Sequence, residues 1–360
     1  MAMDDAGSRD LPTDVLLEIL LRLPPSSRRR VRLVCRLWRD IIGEHTTEMQ
    51  SCATALFWDI WDRTAYVVDE LSKSSTGKCR KLWKWGKYGQ LVGTCNGLLC
   101  LCDMVTPGGA VTLVNPATGE TLPVPPLPCV DKRRRVPDKW YEAYSFGYHP
   151  TSGQYKVVHV PCSFDLPHVF DTVHVITLGE ASWREVPEHD GWCKCDLSAG
   201  IVSVDGTTYW VLSYGAIALV LAFDLEHERV TFLKELPAHI ANYHLTEVHG
   251  RLGLVTRDLS MTTEVWILDK GRKWTCRYSL RRQDLPGPRF VCGEYILTRK
   301  KGWICGHYRR KDMWSSNKAV PVRVSHRAQG TRLAKIKGDW YQTFPYVETM
   351  EPLSIYSADS

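Results

Sequence analysis

The sequence predicts a small all-α N-terminal module followed by an all-β domain, a β-propeller of about six blades. Three observations carry this. Apolar residues recur with a helical period only between residues 11 and 42. From Cys52 onward, short β-rich runs alternate with Gly, Asn and Asp turns. Two of the β motifs then recur at spacings of 44 and 45 residues.

In the helical stretch, Val15, Leu16, Ile19, Leu20 and Leu23 fall on one stripe of an amphipathic helix. Pro12 suits its start, where a missing N–H costs little, with Thr13 or Asp14 as the cap. Pro24-Pro25 ends it, because a proline ring cannot continue the ladder. Ser26 or Ser27 caps a second helix running to about Ile42. Its apolar face holds Val31, Val34, Cys35, Trp38, Ile41 and Ile42. Arg28, Arg29, Arg30, Arg32, Arg36 and Arg39 occupy the opposite face. Burying each large apolar side chain contributes roughly 1.5–3 kcal/mol, and a unit this small collects little of that internally. The helices must dock, either on the body or on another protein, and periodicity leaves both open. The arginine face reads as a solvated helix face before it reads as a nucleic-acid patch.

The body repeats two hairpin motifs. One is an apolar strand broken by a Gly turn, seen around Asn96-Gly97, Asp205-Gly206 and His249-Gly250, with Lys301-Gly302 as a degenerate copy. The other is a strand, a polar turn and a second strand, with Asn115, Asp224 and Asp269 at matching turn positions. A short carboxylate or amide there can bond its own backbone. A two-hairpin unit of about 45 residues suits a propeller blade, which buries its faces only by stacking on neighbours. A pair of β-sandwiches is the alternative. The expected organisation is a disordered 1–10, a helical module at 11–45, the β-domain at 52–350 and a tail at 351–360. The final run from Tyr346 is expected to return and close the ring.

Composition narrows the function classes. Apolar residues make up 44% and charged residues 24% of the 360, normal for a soluble globular protein. The fourteen tryptophans suit stacked sheets. Net charge is +6, but basic residues lie in scattered runs at 28–30, 132–135, 299–301 and 309–311, so a nucleic-acid partner is not expected. The 132–135 run reads as a solvated loop or an import signal. The longest uncharged run, Gly206 to Phe223, has a Ser-Tyr-Gly-Ala turn at its centre and reads as a hairpin, not a membrane span. Thirteen cysteines without a CxxC point to free thiols in a reducing cytoplasm or nucleus. Cys100-x-Cys102 and Cys193-x-Cys195, with His189 nearby, would need four converging ligands to hold zinc. No P-loop, GxGxxG after a strand, GxSxG or HExxH occurs. His149, His159, His174, His244 and His249 stand singly in or beside strands and read as structural hydrogen-bonders. No cofactor, no metal and no enzymatic activity are expected.

The order Leu11-Pro12, Ile19-Leu20-x-x-Leu23-Pro24, Arg30-x-Arg32-x-Val34-Cys35-x-x-Trp38-Arg39, Ile41-Ile42 resembles the F-box along its full length. The phrases CNGLLCL, LVNPATGETLPVPP, SFGYHPTSGQYKVV, VDGTTYW and FPYVETMEPL resemble the F-box-associated propeller regions of plant F-box proteins, kelch-like in outline. The resemblance implies a substrate receptor of an SCF-type ubiquitin ligase. Its F-box would grip a Skp-type adaptor, and through it cullin and RING subunits. The matching positions are Leu11, Pro12, Ile19, Leu20, Leu23, Val34, Cys35, Trp38 and Ile42. Arg28 and Arg29 stand where the family is often apolar. Their stems can still cover apolar surface, and a weaker adaptor grip is expected.

One propeller face would capture a protein target through the loops 128–144, 162–171, 189–197, 257–263 and 309–318. Trp140, Tyr141, Trp192 and Trp314 in these loops are of types favoured at binding hot spots. The basic loops fit an acidic or phosphorylated target, and a solvated rim explains them equally well. Two other readings stay open: an adaptor-independent scaffold with its helices docked on the body, and a propeller enzyme, which needs carboxylates or histidines clustered in the channel.

Overall fold

A computed structural model describes residues 12–23, 27–28, 31, 34–45, 54–68, 79–86, 88–106, 109–128, 140–162, 172–186, 195–214, 217–236, 242–248, 250–258, 262–269, 273–281, 287–288, 291–292, 295–300, 303–308, 322–324, 331–335 and 341–357. Between 281 and 340 it describes side chains only at Leu297 and Cys305.

The helical module contains α1 (Thr13–Arg22) and α2 (Arg36–His45). Leu16 and Leu20 of α1 pack on Ile41 and Ile42 of α2, with Leu17, Leu23, Val31 and Trp38 against them. The module thus has a small core of its own. α1 starts directly after Pro12, whose carbonyl accepts from Leu16 N–H at 3.0 Å, and no side chain caps it. The cap expected from Thr13 or Asp14 does not form. The second helix also differs from expectation. Val34 N–H donates to the Val31 carbonyl at 3.1 Å, which interrupts the i to i+4 ladder, so Val34 and Cys35 are non-helical and α2 begins after them. Val34, expected on the apolar face of this helix and at the adaptor interface, is 64% exposed.

The β-domain begins with β1 (Thr54–Asp59), β2 (Thr64–Val68) and β3 (Cys79–Lys84). The second sheet is β4 (Gly89–Cys95), β5 (Leu98–Asp103), β6 (Val111–Val114) and β7 (Thr121–Pro123). The third is β8 (Tyr144–His149), β9 (Gln154–His159), β10 (His174–Thr177) and β11 (Arg184–Glu185). The fourth is β12 (Val202–Val204), β13 (Thr207–Tyr214), β14 (Ile217–Asp224) and β15 (Arg229–Glu235). The fifth is β16 (Asn242–Val248), β17 (Arg251–Arg257), β18 (Thr262–Leu268) and β19 (Trp274–Arg281). Then come β20 (Gly287–Pro288), β21 (Val291–Cys292), β22 (Tyr295–Lys300), β23 (Trp303–Tyr308), β24 (Val322–Val324), β25 (Thr331–Lys335) and β26 (Tyr341–Tyr346).

Neighbouring strands of a blade pair antiparallel, apart from β20 with β26 and β24 with β19; the first strand is innermost in the second to fifth sheets, and β26 takes that place in the first. The innermost strands touch in the sequence β26, β4, β8, β12, β16, and β20 sits between β16 and β26. The domain is therefore a propeller, but five blades ring the channel where about six were expected. Dividing the span 52–350 by the period of about 45 predicts six blades, give or take one, and residues 287–340 are where the chain departs from that division. Those residues instead supply the short β20, the strand β24 added in parallel outside β19, and a separate sheet of β21, β22, β23 and β25. Among the described residues that sheet places no strand in the inner ring.

Apolar clusters form between successive sheets, as stacking of faces requires. One joins Leu98, Cys100 and Leu113 to Phe146, Tyr155 and Val157. The next joins Val158 and Val175 to Trp210, Leu221 and Phe223. Others join the first sheet to the second and the fourth to the fifth. The turns follow the repeated motifs. Asn96-Gly97 and Asp205-Gly206 take positive φ at both residues, as a tight hairpin turn needs. Asn115 Oδ1 accepts from Ala117 N–H at 3.0 Å, Asp224 Oδ1 from Glu226 N–H at 2.7 Å, and Asp269 Oδ1 from Lys273 N–H at 2.9 Å. The ring closes where β26 pairs with β1, with Leu56 opposite Phe344.

Candidate functional site

Strand alternation gives the channel two ends. The tight turns after the innermost strands share one end. The connections leading into those strands, and those between the second and third strands of each blade, share the other.

At the tight-turn end the C-terminal segment packs on the turn between β6 and β7. Asn115 Nδ2 donates to the carbonyls of Thr349 (3.1 Å) and Glu351 (2.8 Å), and Leu353 N–H donates to Glu120 Oε2 at 2.7 Å. Glu351 is fully buried and receives a bond from Tyr356 OH at 2.8 Å. Glu351, Leu353 and Tyr356, in the stretch expected as a tail, are thus packed, while Ile355 is exposed. A cavity of about 240 Å³ remains here, between Asn96, Tyr148, Asp205 and Thr349.

The other end is open, with a cavity of about 390 Å³ lined from all five blades. Leu91 comes from β4, Tyr141 and Glu142 from the 3-10 turn Trp140–Ala143 before β8, Ser198 from the turn before β12, His244 from β16, and Gln342 from β26. Asp196 caps the Ser198 turn by accepting from Ser198 N–H at 3.0 Å. Tyr141 OH donates to Glu142 Oε1 at 3.3 Å. Burial, followed by the Glu142 charge and that bond, pushes the phenol pKa up, so the hydroxyl stays protonated. Burial holds the His244 pKa down at about 4, so its ring is neutral near pH 7.

Of the four target-facing candidates, Tyr141 lines this mouth. Trp140 opens the same 3-10 turn, and its side chain lies outside the described residues, as do Trp192 and Trp314. So do most of the proposed target loops, although Cys162, Cys195, Asp258 and Thr262, which belong to three of them, lie at this open end. His244, Glu142 and Gln342 were not singled out as binding residues from sequence. The signal they offered was position alone, at or just before an innermost strand.

No group of three or more His, Cys, Asp or Glu able to hold a metal occurs among the described residues. Cys100 and Cys102 are buried in β5, where burial raises both thiol pKa values and keeps them protonated. Cys193 and His189 lie outside the described residues. His159 and His174 face each other across β9 and β10 with ring centroids 6.2 Å apart. No described helix is long and apolar enough to cross a membrane.

In the helical module, the nine predicted adaptor residues separate into groups. Leu20 and Ile42 are fully buried in its core, and Leu23 and Trp38 pack against that core. Pro12, Ile19, Val34 and Cys35 are exposed, while Leu11 lies outside the described residues. Val15 and Leu37, not named among the nine, join the exposed apolar set. Arg28 is half-buried, and Arg29 lies outside the described residues.

Comparison with known families matches residues 9–46 to the F-box domain and residues 62–286 to the F-box associated beta propeller domain. The Arabidopsis thaliana F-box protein At1g53370 is 26% identical over 329 residues, covering 83% of this chain and 82% of its own. F-box protein At5g65850 of the same plant is 25% identical over 296 residues, covering 74% of this chain and 69% of its own.

Proposed function

The chain belongs to the F-box proteins that carry an F-box associated beta propeller domain, and on that premise we propose that it is the substrate-recognition subunit of an SCF-type ubiquitin ligase. The helical module binds a Skp-type adaptor and through it the cullin and RING subunits. The open end of the propeller binds the protein target. The chain itself catalyses no step. It holds the target close to a ubiquitin-charged enzyme bound elsewhere, and the gain is in effective concentration. The cytoplasm and nucleus are where this role would be exercised.

One observation carries the reading. The module buries Leu16, Leu20, Ile41 and Ile42 in its own core, yet leaves Val15, Ile19, Val34 and Leu37 at 44%, 47%, 64% and 51% exposed. Val15 and Ile19 are one helical turn apart on α1 and so share a face. Such a set is apolar surface awaiting a partner. Among the described residues the core cluster beneath it draws on no propeller residue, which favours an external partner over a scaffold with its helices docked on the body.

The test is capture of a purified Skp-type adaptor and cullin by the wild type and by an Ile19→Asp, Val34→Asp variant. Substituting exposed residues leaves the module folded, whereas an acidic residue at Leu20 would disrupt it. Capture by the wild type, reduced about tenfold or more in the variant, supports the proposal, since a buried unpaired charge costs at least about 1.4 kcal/mol. Failure of the folded wild type to capture the adaptor refutes it.

A further inference from the structure

Two of the proposed target loops meet at their roots. Cys162 opens the loop 162–171 after β9, and Cys195 lies in the loop 189–197 ahead of β12. The backbone pairs the two cysteines directly. They form an isolated parallel bridge, with Cys195 N–H donating to the Pro161 carbonyl at 2.6 Å. Neighbouring strands lie about 4.7–4.9 Å apart, inside the span of about 4.4–6.8 Å between α-carbons that a disulfide bridges. Residues paired in this way send their side chains to the same face. Both side chains accordingly enter one apolar cluster, between the third and fourth sheets, and they are the only cysteines among its described residues. Each is 1% exposed, and both are thiols in the structure.

We propose that Cys162 and Cys195 are a redox modification site, joined as a disulfide when the protein meets hydrogen peroxide. One sulfur attacks a peroxide oxygen, the O–O bond breaks, and a sulfenic acid and one water result. The second thiol then attacks that sulfur. The S–S bond forms as the S–O bond breaks, and a second water leaves. The two thiols together give up two electrons and two protons, and the peroxide is reduced to two waters. Burial selects the oxidant. A tripeptide disulfide cannot enter the cluster, whereas hydrogen peroxide, little larger than water, enters when the strand ends open locally. Once one sulfur is oxidised, its bridge partner is the nearest thiol to it. In a reducing compartment the pair stays as thiols until peroxide rises. The bond itself does not depend on the receptor reading. On that reading it acquires a consequence, because it ties the third blade to the fourth at the base of two target loops and restricts the chain between them.

The test treats the full chain with hydrogen peroxide, alkylates the remaining thiols, and digests the product with trypsin. Cleavage after Lys156, Arg184, Lys194 and Arg229 leaves Cys162 as the sole cysteine of 157–184, Cys193 of 185–194 and Cys195 of 195–229. Mass spectrometry should find 157–184 joined to 195–229, lighter by two hydrogen atoms than the separate thiol peptides, and dithiothreitol should part them. Cys162→Ser and, separately, Cys195→Ala should each abolish the joined product. The wild-type digest decides the pairing by itself, however well either variant folds. Both cysteines still fully alkylated after the exposed Cys35 and Cys79 have been oxidised would overturn the proposal. So would a sulfinic acid at either position, or 195–229 joined to the peptide of Cys193. Adaptor capture by the reduced chain tests the receptor reading separately.

Discussion

The indole N–H of Trp183 donates to the carbonyl of Pro125 at 2.7 Å, tying the outer part of the third blade to the end of the second. Trp274 repeats the contact two blades on, donating to Glu235 O at 3.2 Å across the fifth and fourth blades. Both tryptophans lie where the chain enters the fourth strand of their blade, so the repeat carries its own latch between neighbours.

Trp183 is 8% exposed and packs among the residues joining the second and third sheets. Trp183→Phe removes the donor but keeps most of the apolar surface, and is expected to cost about 1–3 kcal/mol because the Pro125 carbonyl loses its partner. Trp183→Ala is expected to cost about 3–5 kcal/mol. Urea unfolding of both variants measures the two effects. No loss in Trp183→Phe would mean that the hydrogen bond contributes nothing beyond packing.

A second contact between blades is ionic. Lys156, 3% exposed, donates to Glu228 Oε1 at 2.7 Å and to the Leu225 carbonyl at 2.5 Å, while Arg184 Nε donates to Glu228 Oε2 at 3.2 Å. Burial raises the Glu228 pKa, but the bonds from Arg184 and Lys156 outweigh it and the net shift is downward. The contribution of this carboxylate is therefore present above its unfolded value of 4.5 and is lost as pH falls through the lower folded value. Glu228→Ala leaves a buried ammonium without its carboxylate and is expected to destabilise by about 3–5 kcal/mol. The double variant Lys156→Met, Glu228→Ala should recover part of this, and chemical unfolding at pH 7 reads the difference.

His159 is fully buried between Tyr144 and His174, with ring centroids at 4.9 Å and 6.2 Å. Burial, and then His174, lower its pKa from 6.5 to about 3. The unfolded chain takes up a proton that the folded chain refuses, so stability is full above about 6.5 and falls as pH drops towards about 3. His174 and His244 are shifted in the same direction. Urea midpoints at pH 7, 6 and 5 should decline for the wild type. The decline should be shallower for His159→Phe. An unchanged slope would show that His159 does not contribute.

Gly97 has φ +86°, and a Cβ there would stand 2.3 Å from the Val347 carbonyl oxygen. Gly97→Ala must therefore strain the turn and push away the C-terminal segment together. An expected cost of about 2 kcal/mol combines the left-handed conformation with the clash. Limited proteolysis near residue 350 should accelerate in this variant, and unchanged cleavage would separate the turn from the segment over it.

The turns were legible in the sequence because each depends on a local residue. Asn115, Asp224 and Asp269 bond their own turn backbones, and Asn96 and Asp205 precede glycines that tolerate positive φ. Blade number was not legible, because closure depends on contacts between distant strands. Gly287 and Pro288, which pair with Gln342 and Thr343, carry no β signal of their own. In the helical module, periodicity placed Leu20 and Ile42 on an apolar face, but could not distinguish an internal core from an external interface. The mouth of the channel was hidden for a related reason. His244 and Gln342 are far apart in sequence and become neighbours of one cavity only when the ring is closed.

Closure by β26 also bears on how the protein is made. Thr54 Oγ1 meets the Tyr346 carbonyl at 3.0 Å across 292 positions of chain. During synthesis, β1 emerges from the ribosome long before its partner strand and presents an open edge able to pair with other chains. Four blades can stack as they appear, yet the first stays incomplete until β26 has been synthesised. A premature stop shortly before residue 341 would leave that edge permanently unpaired. Its product would be a substrate for the cell's quality control, not a slightly shortened protein.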